Sequence, residues 1–230
     1  MILARKTVLS SLVLLGALMF PKATGDQELA LEQRLPERTA LHAPVSIQTR
    51  FVTYDGPSGQ AVHDCYGAEI EALVERFHEK GARACVIIKD NPFEYAALTT
   101  QLDTPYVGIC SGIFLIPHSQ GTIGFVKAYH ELCHVFFDTV LQEADRDTFA
   151  KLREQAIERG IIHTFAGQAN FPYPQPGSPP SLNSNEFFAC AATMAHFRKV
   201  YDNNWLSKLT DAQYSLAENV FGEIKACLKD

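Results

Sequence analysis

The stretch Gly124–Leu141, GFVKAYHELCHVFFDTVL, holds His130-Glu131-Leu132-Cys133-His134 inside an apolar run with helical spacing. On a helix, residues four apart stand one turn above each other with Cβ atoms roughly 5–6 Å apart, so His130 and His134 can direct their imidazoles to one point. A zinc ion takes nitrogen ligands at about 2.0–2.1 Å in a tetrahedral arrangement and, in catalytic sites, keeps one position for water. Glu131 follows about 100° further around the helix. From there it can move protons for that water without being a ligand itself. The pattern is short, but its setting in a strongly apolar helix favours a site over a chance match.

Two histidines leave a metal one protein ligand short. A third histidine six residues on, with a glycine between, would mark a metzincin; those positions hold Val140 and Phe137, which excludes that class. Asp138 lies too far along the helix to join His130 at the metal, yet it can orient a ligand as an outer acceptor. The better candidate is Glu186 in NSNEFFACAATMAHF, where no Lys or Arg stands within four residues to meet its charge. A carboxylate buried in such surroundings needs a cationic partner. The plainer alternative is a first-turn glutamate that caps with Asn183 and is favoured by the helix dipole. Cys190 and His196 are weaker rivals.

HELCH followed about fifty residues later by NEFFACA resembles the metalloprotease domain of anthrax lethal factor and the related secreted Pro-Pro endopeptidases. The resemblance covers residues 125–200 and fits the preceding strands only loosely. It implies a zincin-like domain, with zinc held by His130, His134 and Glu186 and with Glu131 as general base. Family members carry an oxyanion-stabilising tyrosine at the position that is Pro179 here, and Tyr173 in the same loop is the candidate replacement. By analogy with other zinc peptidases, GIFLIP (Gly112–Pro117) would be the edge strand that pairs with an extended substrate.

Outward from these motifs, periodicity predicts the remaining elements. VSIQTRFVTY (Val45–Tyr54) is expected as one strand, closed by a turn at YDGPSG. A helix is expected over Val62–Lys80, ended by Gly81, and a buried strand at ACVIIKD (Ala84–Asp90). NPFEYAALTTQL (Asn91–Leu102) is expected to be helical, followed by strands YVGIC (Tyr106–Cys110) and GIFLIP. Helices are expected over Phe125–Leu141, Ala144–Arg159 and Asn185–Val200, and from Thr210, where Thr210 and Gln213 suit a capping box. The proline-rich run FPYPQPGSPP (Phe171–Pro180) excludes regular structure. Strands mixed with helices, then helices alone, predict an α+β fold: a small mixed sheet packed on the active-site helix, followed by a helical C-terminal half.

The N-terminus has Arg5 and Lys6, an apolar run Thr7–Phe20, then Pro21 and small residues at Ala23 and Gly25. This predicts a signal peptide over residues 1–25 and a secreted or periplasmic domain over 26–230. The apolar run is short for a span of roughly 20 residues, with an uncleaved membrane anchor as the alternative. After cleavage the acidic remainder is not expected to associate stably with an anionic membrane surface. The chain carries a formal charge of -6 over 230 residues and has no long basic run, which argues against a nucleic-acid partner. Six cysteines lie at wide spacings, which leaves disulfides and buried thiols both open. The expected function is a zinc-dependent metalloendopeptidase acting on a peptide or protein substrate. The alternative is a non-catalytic exported module that keeps the same fold for binding.

Overall fold

The computed structural model describes residues 46–90, 97–100, 105–115, 117–118, 121–162, 165, 183–197 and 206–229. All belong to one compact unit, Pro44–Asp230. The signal segment 1–25, Pro179, Tyr173 and the proline-rich loop lie outside the described residues.

The architecture is α+β. Strands β1 (Ser46–Gln48), β2 (Val52–Asp55), β3 (Cys85–Lys89), β4 (Ala97–Thr100) and β5 (Tyr106–Cys110) form a mixed sheet in the order β1-β2-β3-β5-β4. The three inner strands β2, β3 and β5 run parallel, and the two edges β1 and β4 are antiparallel to their neighbours. Helix α1 (Gly56–Glu79) makes the crossover from β2 to β3. It buries Val62, Ile70, Leu73, Val74 and Phe77, while the sheet contributes Val52, Tyr54, Val86, Ile88, Val107 and Ile109 to the same core. A short hairpin of β6 (Pro117–His118) and β7 (Gly121–Thr122) precedes α2 (Ile123–Thr139). Among the described residues, helices α3 (Glu143–Glu158), α4 (Ser184–His196) and α5 (Asp211–Leu228) follow.

Four expectations are corrected. The described part of the expected strand Val45–Tyr54 is two strands of an antiparallel pair, β1 and β2, reversing at Thr49–Arg50. Thr49 closes the reversal by donating from its backbone N–H and its hydroxyl to the Val52 carbonyl at 2.9 and 2.8 Å. An alternating run gives no sign of where a chain doubles back. The YDGPSG segment is a helix start: Gly56, at φ +76, turns the chain out of β2, and Pro57 enters the first turn, where its missing N–H costs nothing.

Within the expected helix Asn91–Leu102, Ala97–Thr100 is strand β4, its Leu98 opposite Gly108 and Thr99 opposite Val107. Pairing with a buried strand outweighed local helical character. GIFLIP is mostly a 3₁₀ turn, Ser111–Leu115. That turn swings Phe114 into the core, edge-on to Phe125 at 5.8 Å. A Cβ at residue 124 would collide with the Phe114 ring, so glycine there lets α2 start against this turn.

The expected helices Phe125–Leu141 and Ala144–Arg159 hold to within two residues at each end, while Asn185–Val200 starts one residue early and ends at His196, four residues short. The Thr210–Gln213 capping box is present. The pair α2 and α4 forms the heart of the C-terminal half. Ala189, Ala191 and Ala192 of α4 are fully buried, and such small side chains let two helices approach closely. Phe188 stacks parallel to Phe136 at 6.2 Å and meets Phe149 of α3 edge-on at 4.8 Å. On its other side α2 meets α1 through Phe77, edge-on to Tyr129 at 5.4 Å. Helix α2 is therefore fixed from both flanks, and this fixes the histidines it carries.

Candidate metal centre

His130 and His134 stand on one face of α2, and Glu186 faces them from the first turn of α4. His130 Nε2 lies 3.1 Å from His134 Nε2, Glu186 Oε1 is 3.4 Å from His130 Nε2, and Glu186 Oε2 is 3.1 Å from His134 Nε2. In a tetrahedron with bonds of 2.0–2.1 Å, neighbouring ligands are about 3.3–3.4 Å apart. Each of these contacts falls near that spacing, with the two histidines met by different oxygens of the Glu186 carboxylate. Cys190, one turn after Glu186, adds sulfur: its thiol donates to Glu186 Oε1 at 3.4 Å, and donor atoms of His130, Glu186 and Cys190 lie within 4.8 Å of one another. His134 is not part of that mutually close trio, but its Nε2 is 3.1 Å from both His130 Nε2 and Glu186 Oε2.

Local structure explains how Glu186 comes to face inward. Asn183 caps α4 by accepting from the Glu186 backbone N–H at 2.8 Å. The expected cap is therefore real, but it engages the glutamate's backbone and leaves its carboxylate to the histidines. Burial opposes ionisation of that carboxylate. The hydrogen bonds and charges of His130 and His134 outweigh burial and hold Glu186 far below the ordinary carboxylate range.

A chain of polar side chains sets the tautomer of His134. Asp138 Oδ1 accepts from Asn185 Nδ2 at 2.8 Å, and Asn185 Oδ1 lies 2.7 Å from His134 Nδ1. A carboxylate only accepts, so the Asn185 amide must turn its NH₂ to Asp138 and its carbonyl oxygen to His134. His134 Nδ1 therefore carries the proton, and its Nε2 turns a lone pair toward the other donors. A lone pair and a carboxylate oxygen 3.1 Å apart repel unless a positive charge lies between them. A proton is one solution. Burial lowers the tendency of His134 to hold a second proton, but Glu186, Glu131 and Asn185 together raise it above its ordinary value. A divalent cation is the other solution, and the donor set of two imidazoles and a carboxylate suits zinc. His130 Nδ1 is buried with no partner among the described residues.

Glu131 is 7% exposed. Its carboxylate accepts from the Thr99 hydroxyl at 2.7 Å, and the same hydroxyl lies 3.2 Å from the Glu131 carbonyl. Thr99 comes from β4, so an edge strand of the sheet runs directly beside the glutamate. Lys127, one turn before Glu131 on α2, shares the electrostatic environment of Glu131, Cys190 and Glu186. Burial pushes its ammonium below the ordinary range, against the pull of those three groups.

The sequence-derived residues His130, Glu131, His134 and Glu186 are thus brought together, and Asp138 acts on the site through Asn185. Tyr173 lies outside the described residues. His196 is elsewhere: it is exposed and stacks on Tyr129 at 4.2 Å. Thr99, Asn185 and Lys127 escaped sequence reasoning. Lys127 was visible as the residue one turn before Glu131 on the same helix, and Asn185 as the neighbour of Glu186, but nothing local marked Thr99. No disulfide links Cys133 and Cys190; all six cysteines are thiols. A cleft of about 480 Å³ lined by Arg50, Phe51, Glu75, His78, Glu79 and Arg83 contains none of the donors, and Arg50 is paired with Glu75 at 3.0 Å. Among the described residues no helix is long and apolar enough to cross a membrane. Comparison with protein-family models, with curated proteins and with solved structures finds no significant match for this chain.

Proposed function

We propose that the chain is an exported zinc-dependent metallopeptidase, with His130, His134 and Glu186 as the residues that would hold the metal. The observation that carries this is the convergence of their donor atoms within 3.4 Å, with the Glu131 carboxylate buried on the same helix. Zinc held there would act as a Lewis acid and would make water a usable nucleophile near neutral pH. Glu131, steadied by Thr99, takes the proton of the attacking water and returns it to the leaving amine. Asn185 and Asp138 keep His134 in the tautomer that presents Nε2 to the metal.

Strand β4 supports a peptide substrate. It is hydrogen-bonded to β5 on one side and is the last strand in the described sheet order. An extended peptide added along its other side would lie beside Glu131, which Thr99 of this strand contacts. In this role β4 takes the place expected of GIFLIP. The likeness of the two motifs to the lethal factor and Pro-Pro endopeptidase family points the same way.

The test compares the parent with Glu131→Gln on a peptide library, with zinc measured in both. The amide can still accept from Thr99, so the fold and metal should persist while hydrolysis falls by roughly 100-fold or more. Undiminished hydrolysis in this variant would overturn the role of Glu131. No hydrolysis by the zinc-loaded parent would favour the non-catalytic binding module.

A further inference from the structure

We propose that Cys190 is a fourth protein donor to the metal, so that the resting centre is a closed two-histidine, glutamate and cysteine site that must release its thiol to admit water or substrate. This rests on the metal-centre assignment above and deepens it. Cys190 sits at i+4 from Glu186 on α4, so the two side chains share a helix face. Its sulfur is 3.4 Å from Glu186 Oε1 and lies within 4.8 Å of the His130 donor nitrogen. In a tetrahedral site, a sulfur bound at about 2.3 Å and an oxygen at about 2.0 Å would be separated by roughly 3.5 Å. The thiol therefore already stands at ligand spacing from Glu186.

Charge points the same way. A divalent ion held by two neutral imidazoles and one carboxylate leaves a net positive charge. Cys190 is only 1% exposed and packs in an apolar helix, where uncompensated charge is costly. A thiolate from Cys190 makes the group neutral. As the metal–sulfur bond forms, the S–H bond breaks and its proton passes to solvent. The sulfur donor also narrows the choice of metal to thiophilic cations such as zinc and cobalt(II) and away from magnesium, calcium and manganese. A site with four protein ligands has no place for water, so hydrolysis requires the weakest donor to leave. Cys190 as an occupant of the fourth position gives the site a built-in restraint.

Cobalt(II) replaces zinc in such sites, and a cobalt–thiolate bond has a near-ultraviolet charge-transfer band. The full chain, loaded with one equivalent of cobalt(II), is expected to show that band. Cys190→Ala and Cys190→Ser should lose it while still binding cobalt. Cys133→Ala should keep it, although the Cys133 thiol acts electrostatically on Cys190. Cobalt bound without a thiolate band, or a band that survives both Cys190 variants, overturns the proposal but leaves the His130, His134 and Glu186 assignment standing. Failure of the parent to bind cobalt or zinc at all overturns both. Absence of the band in the cobalt-loaded parent already overturns a sulfur ligand, and Cys190→Ser, close to cysteine in size, keeps the assignment to Cys190 testable where Cys190→Ala folds poorly.

Discussion

Replacing Asn185 with alanine isolates the role of the polar chain behind His134. Asn185 touches no proposed substrate and supplies no metal donor; it accepts from His134 Nδ1 at 2.7 Å and donates to Asp138 at 2.8 Å. Without it the imidazole can place its proton on either nitrogen, and the tautomer with a protonated Nε2 cannot bind metal. One neutral hydrogen bond contributes about 0.5–1.5 kcal/mol net. Loss of outer-shell orientation typically weakens metal binding about 10–100-fold, which corresponds to about 1.4–2.8 kcal/mol. The expected result for Asn185→Ala is therefore a zinc affinity about tenfold or more below the parent, measured by competition with a chelating dye on protein shown by circular dichroism to be folded. Asp138→Ala should weaken binding less, because its carboxylate reaches His134 through Asn185. In the Asn185→Ala background it should add less than about 0.5 kcal/mol, the level of uncoupled noise. A folded Asn185→Ala protein that binds zinc within about twofold of the parent would refute the tautomer argument.

Three further outcomes follow from the same geometry. In metal-free protein, Glu186 has a lowered pKa, so its contribution is full above its unfolded value of 4.5 and is lost as pH falls through the folded value. His134 has a raised pKa, so its contribution is full below 6.5 and is lost as pH rises through its folded value. The stability gap between metal-free parent and Glu186→Gln, measured by urea unfolding, should be widest between about pH 4.5 and 6.5 and shrink on both sides; a gap that grows steadily with pH would contradict it. Phe188→Ala should cost about 3–5 kcal/mol, because Phe188 is fully buried between Phe136, Phe137 and Phe149 and ties α4 to α2 and α3; a shift below about 1 kcal/mol in denaturant unfolding would show that the helix pair is held elsewhere. Thr99→Val keeps size and strand character but removes the hydroxyl on Glu131, so peptide hydrolysis should fall with zinc content unchanged; equal loss of zinc would mean that Thr99 supports the fold of the centre rather than the base.

The histidine pair and Glu131 were legible because helix geometry is local: a spacing of four residues fixes a shared face whatever surrounds it. Glu186 was legible as a carboxylate in apolar company, although its cap with Asn183 offered an equally good local explanation. The structure shows the cap on the Glu186 backbone N–H and, separately, the Glu186 carboxylate against both histidines. What sequence could not disclose is set by pairing across distance. Thr99 meets Glu131 only because β4 joins the edge of the sheet, and Ala97–Thr100 sits in a segment with helical character of its own. Lys127 reaches the electrostatic environment of Glu186 from another helix, which is why counting neighbours along the chain missed it. The hairpin at Thr49 and the 3₁₀ turn at Phe114 failed for a related reason: alternation records which residues are buried and is silent on where the chain reverses.

The central claim is that two helices bring His130, His134 and Glu186 around one cation. Metal content of the purified protein beside its Glu186→Ala variant tests it most directly. About one zinc per chain in the parent, lost or strongly reduced in the variant, is the predicted result. A parent with no zinc after exposure to it, or a variant that holds zinc as firmly as the parent, would contradict it.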